Sequence, residues 1–390
     1  MCREDSAGKV RLYCDYTVED IHGRLWFEVI DTYSDYLFEE CGDAFFVALV
    51  LLAHIKGLDI QFSTPVSERL HYGVVELLLP AMQIAFPGPR SVSVHADTTD
   101  FEFTPVAVGA ALSLGVDSFH TLTSSSNGPY PVTHLTFFNS GAMGEEGGEF
   151  ARILYNRLVA EVEQVASRLE LPFVAIDSNI ADVLKYSFAR THSIQNLCFC
   201  LFMPRLFKVY YYASGFPVTH FRIEGSAAAT EYDLLVSKAL ATESLEVLVS
   251  GLYDRRIDKI QSISSFIPAR EHLNVCLFTE KSLLGDANGR AENCSRCYKC
   301  VKTLVALDAS GLLETYSEVF DLEQYRLERS KNLGWMLFLA WRGRDPHATE
   351  VVEMGKRQSG FFDPSAYRHA LRRGAAGGTA RLRRRLGLTV

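Results

Sequence analysis

Two hydroxyls, a glycine and a carboxylate follow one another in Ser113-Leu114-Gly115-Val116-Asp117-Ser118. The apolar stretch Pro105 to Leu112 before them reads as a buried strand, and Phe119 to Thr123 reads as the start of a helix. A turn in that position directs its backbone N–H groups at a helix N-terminus, where phosphate oxygens bind. Ser113 and Ser118 add hydroxyl donors, and Asp117 has the charge to hold Mg²⁺ against phosphate. The turn is not of the Walker type, since no Gly-Lys-Ser/Thr ending follows. Gly, Asp and Ser also build ordinary turns, so the string alone leaves a plain turn open.

A second group of reactive side chains lies downstream. Cys294, Cys297 and Cys300 form C-x2-C-x2-C, and Cys276 stands upstream in a strand-like segment, Leu273 to Phe278. A tight turn can aim such thiolates at one ion, and four of them close a structural zinc site. Three could instead carry an iron-sulfur cluster. The fourth thiol favours zinc, while three exposed thiols at this spacing would invite oxidation. Cys198 and Cys200 lie in the apolar run Leu197 to Leu201 and read as small core hydrophobes, with a sulfur-relay role as the alternative. Cys14 and Cys41 read as structural. Cys2 would become an N-terminal nucleophile only if Met1 were removed, and the Ser113 turn follows too soon for a complete hydrolysing domain.

Arg256 and Lys259, three residues apart, share one face of a helix and could clamp phosphates; a solvated basic turn is the plainer alternative. Arg190 and His192 could face the same cleft, although a lone histidine more often caps or packs.

These residues need a scaffold, and the pattern around them alternates. Trp26 to Ile30 reads as a strand, Asp43 to Lys56 as a helix and Leu58 to Phe62 as a strand. Thr64 could then cap a helix with Pro65 at its first position, running to about Leu79. Ser91 to His95 is expected to close this first unit. Beyond the turn come a strand at His134 to Phe138, a helix at Glu149 to Leu169, a strand at Phe173 to Ile176, a helix at Ile194 to Phe202 and a strand at Val209 to Ala213. Strands separated by helices of this length form parallel βαβ units, whose ligands sit beyond the strand carboxyl ends. Asn139, Asp177 and Asn179 are expected there with the Ser113 turn.

With 390 residues, 48% hydrophobic and 22% charged, the chain has the balance of a soluble globular protein of two or three domains. The longest apolar run, Ala44 to Ala53, is too short to span a bilayer, and no secretory signal opens the sequence, so no membrane association and a cytoplasmic location are expected. A net charge of −8 argues against nucleic-acid binding over the whole surface. Positive charge gathers at the end, where Arg368, Arg372, Arg373, Arg381, Arg383, Arg384 and Arg385 flank the Gly/Ala-rich segment Gly374 to Ala380. It reads as a flexible basic tail, either a solvated terminus or an arm for nucleic acid or another acidic partner.

The Ser113 turn and the set Cys276, Cys294, Cys297, Cys300 together resemble the PP-loop ATP pyrophosphatase superfamily, and within it the 7-cyano-7-deazaguanine synthases, over roughly Val106 to Leu313. The resemblance implies an α/β fold with a parallel-sheet PP-loop domain, adjoining a small N-terminal α/β unit and a cysteine-rich metal-binding segment. The corresponding boundaries are 1–100 for the N-terminal domain, 101–270 for the ATP-binding domain, 271–345 for the four-cysteine segment with following helices, and 346–390 for the basic tail. It also implies ATP bound by Ser113, Gly115, Val116, Asp117 and Ser118, Mg²⁺ at Asp117, Zn²⁺ at the four cysteines, and Arg256 and Lys259 facing the departing charge. The implied reaction adenylates a carboxylate or carbonyl of a small molecule or peptide, which a nitrogen nucleophile then attacks. The alternatives are ATP-dependent thiolation of an RNA or small molecule and a nucleotide-binding module without catalysis. Oligomerisation is compatible with each. Two residues depart from the family pattern: Leu114 stands where the first glycine is usual, and Cys276 lies farther from the triplet.

Overall fold

The computed structural model describes residues 1–126, 128–225, 227–276, 293–343 and 345–385, the last ten of these by backbone alone. Contacts divide the chain into two units, Met1–Ser113 with Thr121–Tyr253, and Leu114–His120 with Asp254–Val390.

The first unit is built on an eight-stranded sheet. Strands β1 (Cys2–Ser6), β2 (Lys9–Val18) and β3 (Ile21–Ile30) form an antiparallel meander. Val10, Leu12, Leu25, Phe27 and Val29 turn inward on alternate positions, as the two-residue period of a strand requires. Across the pair Arg11 and Glu28, the carboxylate also takes Lys9, at 2.7 and 2.8 Å. Helix α1 (Asp43–Lys56) is apolar on nearly every side and accordingly buried, ending where Gly57 adopts a left-handed φ of 66°.

Strand β4 (Ile60–Ser67) pairs in parallel with β5 (Val94–Thr99), as a separate two-stranded sheet. The helix expected from Thr64 begins later: β4 continues through Pro65, and α2 (Glu68–Tyr72) starts after Ser67. The reason is tertiary. Buried Asp43 accepts from the Ser67 N–H at 2.8 Å and its hydroxyl at 2.5 Å, holding that residue in an extended conformation. A π-helical turn over Gly73–Leu78 leads into α3 (Leu79–Ala85). There a Cβ on Gly73 would lie 2.1 Å from the Ala239 carbonyl oxygen, so the two backbones meet where only glycine fits.

Five strands then build the parallel half of the main sheet. After β6 (Ala107–Ala111) the chain enters α4 (Val116–Ser125), followed by β7 (His134–Phe138), α5 (Gly148–Arg168), β8 (Phe173–Ser178), α6 (Ile180–Leu184), α7 (Phe188–Leu201), β9 (Phe207–Ala213), α8 (Asp233–Ala239) and β10 (Glu246–Ser250). The order is β1-β2-β3-β8-β7-β6-β9-β10, parallel from β8 to β10. Residues 1–100, expected as a domain of their own, therefore contribute three strands to the sheet that contains the central strands. Gly109 is the small residue that makes room in β6, since a Cβ there would meet the Phe207 and Tyr210 rings at 2.7 Å.

The second unit is helical. It contains α9 (Arg256–Ile263), α10 (Ile267–His272), α11 (Tyr298–Ala309), α12 (Leu322–Leu327), α13 (Arg329–Trp341), α14 (Pro346–Lys356) and α15 (Pro364–Arg385). The region read as a flexible tail from residue 346 thus carries two helices. The expected strand from Leu273 to Phe278 is not formed in its described part, Leu273 to Cys276, and residues from 277 lie outside the described ones. No helix among the described residues is long and apolar enough to cross a membrane.

Candidate functional site

Ser113 follows the end of β6 in the first unit, and Leu114–His120 belong to the second. Leu114 holds φ at +59°, the left-handed conformation that glycine adopts without cost. Its side chain is fully buried, as are those of Val116 and Phe119. Packing therefore holds the leucine in a backbone conformation suited to glycine. The Leu114 carbonyl accepts from the Asn274 N–H at 2.8 Å, and the Ser118 hydroxyl donates to the Gly115 carbonyl at 3.0 Å. α4 begins at Val116, directly after this turn.

Asp117, on the first turn of α4, meets α9. Arg256 donates to one carboxylate oxygen at 2.5 Å and Lys259 to the other at 3.2 Å. The three-residue spacing read from the sequence therefore places both cations on one carboxylate. Burial would raise the pKa of Asp117, but the charges of Arg256 and Lys259 outweigh it and hold the carboxyl well below the ordinary range. The Asp117 side chain still keeps 26% of its exposure, while Lys259 keeps 1%. Each carboxylate oxygen accepts from one cation and keeps a further lone pair, so Asp117 as arranged anchors Arg256 and Lys259.

Helices α11 and α14 supply residues that the sequence reading missed. Lys302 is buried beside the Tyr298 ring, 4.8 Å from its centroid. Burial, and then repulsion by Arg256, push its pKa down to about 7. His347 is pushed down to about 2 by burial, followed by Lys302 and Arg256, and is neutral at ordinary pH. Glu350 accepts the Arg256 backbone N–H at 3.0 Å, and Asp345 caps α14 by accepting from Ala348 and also takes the Tyr298 hydroxyl. The Arg256 Nε is buried with no hydrogen-bond partner among the described residues. Arg256 and Lys259 thus converge on the Asp117 carboxylate, with Lys302 near Arg256 and the carboxylates of Glu350 and Asp345 bordering the group. No local motif marks Lys302 or His347; only helix packing brings them near Arg256.

The cysteines form the second centre. The Sγ atoms of Cys276, Cys294, Cys297 and Cys300 all lie within 4.8 Å of one another. Cys294 and Cys300 are 3.9 Å apart, close to the edge of a tetrahedron with metal–sulfur bonds of about 2.3 Å. The Cys297 N–H points at the Cys294 sulfur at 3.3 Å, and the Cys300 N–H at the Cys297 sulfur at 3.4 Å, as in a metal-binding knuckle. Ser295 makes the sharp bend with φ of +55°, and its hydroxyl accepts from the Asp321 N–H. Asn293 braces the knuckle by accepting from the Val275 N–H and donating to the Leu273 and Val319 carbonyls. The four thiols fit a zinc-type ion as ligands.

Other expected participants serve the first unit's own packing. Asn139 donates to Asp177 at 2.7 Å, while Asn179 accepts from the Trp26 N–H and so ties β8 to β3. His192 bridges the hydroxyls of Tyr212 and Thr230, and Arg190 reaches the Tyr186 hydroxyl. Cys198 and Cys200 are buried, and burial raises both thiols, opposite to what a sulfur carrier needs.

Comparison with known proteins finds no matching family model, no matching curated protein and no matching solved structure. The geometry therefore defines an α/β protein with a mostly parallel central sheet and a four-cysteine cluster able to hold a metal ion.

Proposed function

We propose that the chain is an ATP-dependent adenylating enzyme of the PP-loop type, which activates a carboxylate or carbonyl for attack by a nitrogen nucleophile. The observation that carries this reading is the turn at Leu114. It keeps a glycine-like backbone at the start of α4, one turn from a carboxylate that gathers two buried cations. In this reading the loop N–H groups, with Ser113 and Ser118, hold phosphate oxygens, and Arg256 and Lys259 neutralise the charge that develops on pyrophosphate. A substrate carboxylate oxygen bonds to the α-phosphorus as the bond to the β-phosphate bridging oxygen breaks, releasing pyrophosphate. The nitrogen nucleophile then bonds to the acyl carbon and AMP leaves with the acyl oxygen. Asp117 positions the two cations. Zinc at the four cysteines would brace the start of α11, where Cys297 is the N-cap.

Pyrophosphate release from ATP, measured across a panel of carboxylic acids, tests the proposal. Release should depend on one acid and fall by about 100-fold or more in Asp117→Ala, the scale of losing a preorganised electrostatic contact. Unchanged release in that variant would show the assigned site to be wrong, and no release with any acid would favour a binding module. Thiolation is disfavoured by the burial of Cys200, and one zinc without iron would count further against it.

A further inference from the structure

A separate feature of the second unit lies on the face formed by α12, α13 and α15. Gly334 of α13 lets α15 approach closely, since a Cβ there would lie 2.6 Å from the Ala366 carbonyl oxygen and from the His369 Cβ. Ala366 and Ala370 are fully buried, which sets the register of α15. Arg373, one turn beyond Ala370, consequently lies over the Trp335 ring, 4.8 Å from its centroid. Beside this stack is a cavity of about 450 Å³ lined by Arg296, Lys331, Asn332, Trp335 and Arg373. Glu328, the one carboxylate among its described lining residues, already pairs with Lys331 at 2.8 Å. From Pro364 to Val390 the sequence has seven arginines, no lysine and no acidic residue, in a chain whose net charge is −8.

We propose that this face binds single-stranded nucleic acid, with phosphates at Arg296, Lys331 and Arg373 and, around the exposed side of α15, at Arg368 and Arg372, and with one base in the cavity against Trp335. Arginine forks match phosphate oxygens, whereas an indole face with a neighbouring amide suits a base. An acidic peptide would use the positive charge but not the ring. The proposal is independent of the adenylation reading.

The test is binding of a labelled single-stranded oligonucleotide about 15 nucleotides long to the full chain, followed by fluorescence anisotropy. With about five phosphate contacts, affinity should fall about 100-fold between about 50 and 200 mM salt. Trp335→Ala should weaken binding about 5- to 100-fold with little change in salt dependence, and Trp335→Phe should restore most of it. Arg368→Glu with Arg372→Glu, both at exposed positions, should weaken binding and flatten the salt dependence. Circular dichroism melting confirms that each variant is folded. The proposal is overturned if the oligonucleotide does not bind at low salt, if folded Trp335→Ala binds as well as the parent, or if polyglutamate binds equally.

Discussion

Replacing Leu114 separates two opposing effects within one side chain. A non-glycine residue in the left-handed region costs about 1–2 kcal/mol, because its Cβ crowds the following carbonyl. Leu114 has φ of +59° and is fully buried, so it bears that cost and offsets it by packing. Leu114→Ala keeps the Cβ and loses the packing, and should destabilise by about 2–5 kcal/mol. Leu114→Gly loses the same packing but also removes the strain. It should therefore be more stable than the alanine variant by about 1 kcal/mol, where at an ordinary position glycine is the worse of the two by about 0.5–1 kcal/mol. Two of the three tryptophans, Trp335 and Trp341, belong to the same unit as Leu114, so urea unfolding followed by tryptophan fluorescence reports on it. If alanine is as stable as glycine at this position, the left-handed turn is refuted, and with it the structural argument for a phosphate loop.

Two further predictions concern a buried acid and the metal centre. Burial raises the pKa of Asp43 from 3.8 to about 6, only partly offset by its bonds from Ser67. Protonated Asp43 therefore supports a stability term that is whole below about pH 3.8 and lost as pH rises through about 6, amounting to about 3 kcal/mol. Asp43→Asn should remove this term, so urea midpoints of parent and variant should diverge between about pH 4 and 7; parallel curves would contradict the assignment. Zinc content by mass spectrometry should be about one ion per chain, and Cys294→Ser should lose most of it, because a structural zinc site uses four ligands. Full occupancy in that variant would exclude the four-thiol centre.

Strong local patterns were legible in the chain itself. The buried strand at His134 to Phe138 was read with its observed limits, and α1 and α5 to within a residue at either end. Each is an apolar or amphipathic run bounded by turn residues, which marks the element locally. Much of the β1–β3 meander was missed although Val10 and Leu12, and again Leu25, Phe27 and Val29, alternate with polar residues as a half-buried strand requires; only the pairing of Arg11 with Glu28 needed the tertiary structure. The start of α2 was misplaced because Thr64-Pro65 looks like a helix entry until Asp43, distant in sequence, claims Ser67.

The same division runs through the candidate site. Residue type and short spacing by themselves determined that Cys294, Cys297 and Cys300 could share an ion, and that Arg256 and Lys259 would lie on one helical face. Both follow from local backbone geometry. The sequence also offered Cys276 as the fourth ligand, which the structure brings to the other three; only the tertiary structure decided that the two cations share Asp117 and that Lys302 and His347 stand near them. It also decided that Leu114 adopts the conformation expected of glycine, since a residue's intrinsic preference for φ can be overridden only by packing that the sequence does not display.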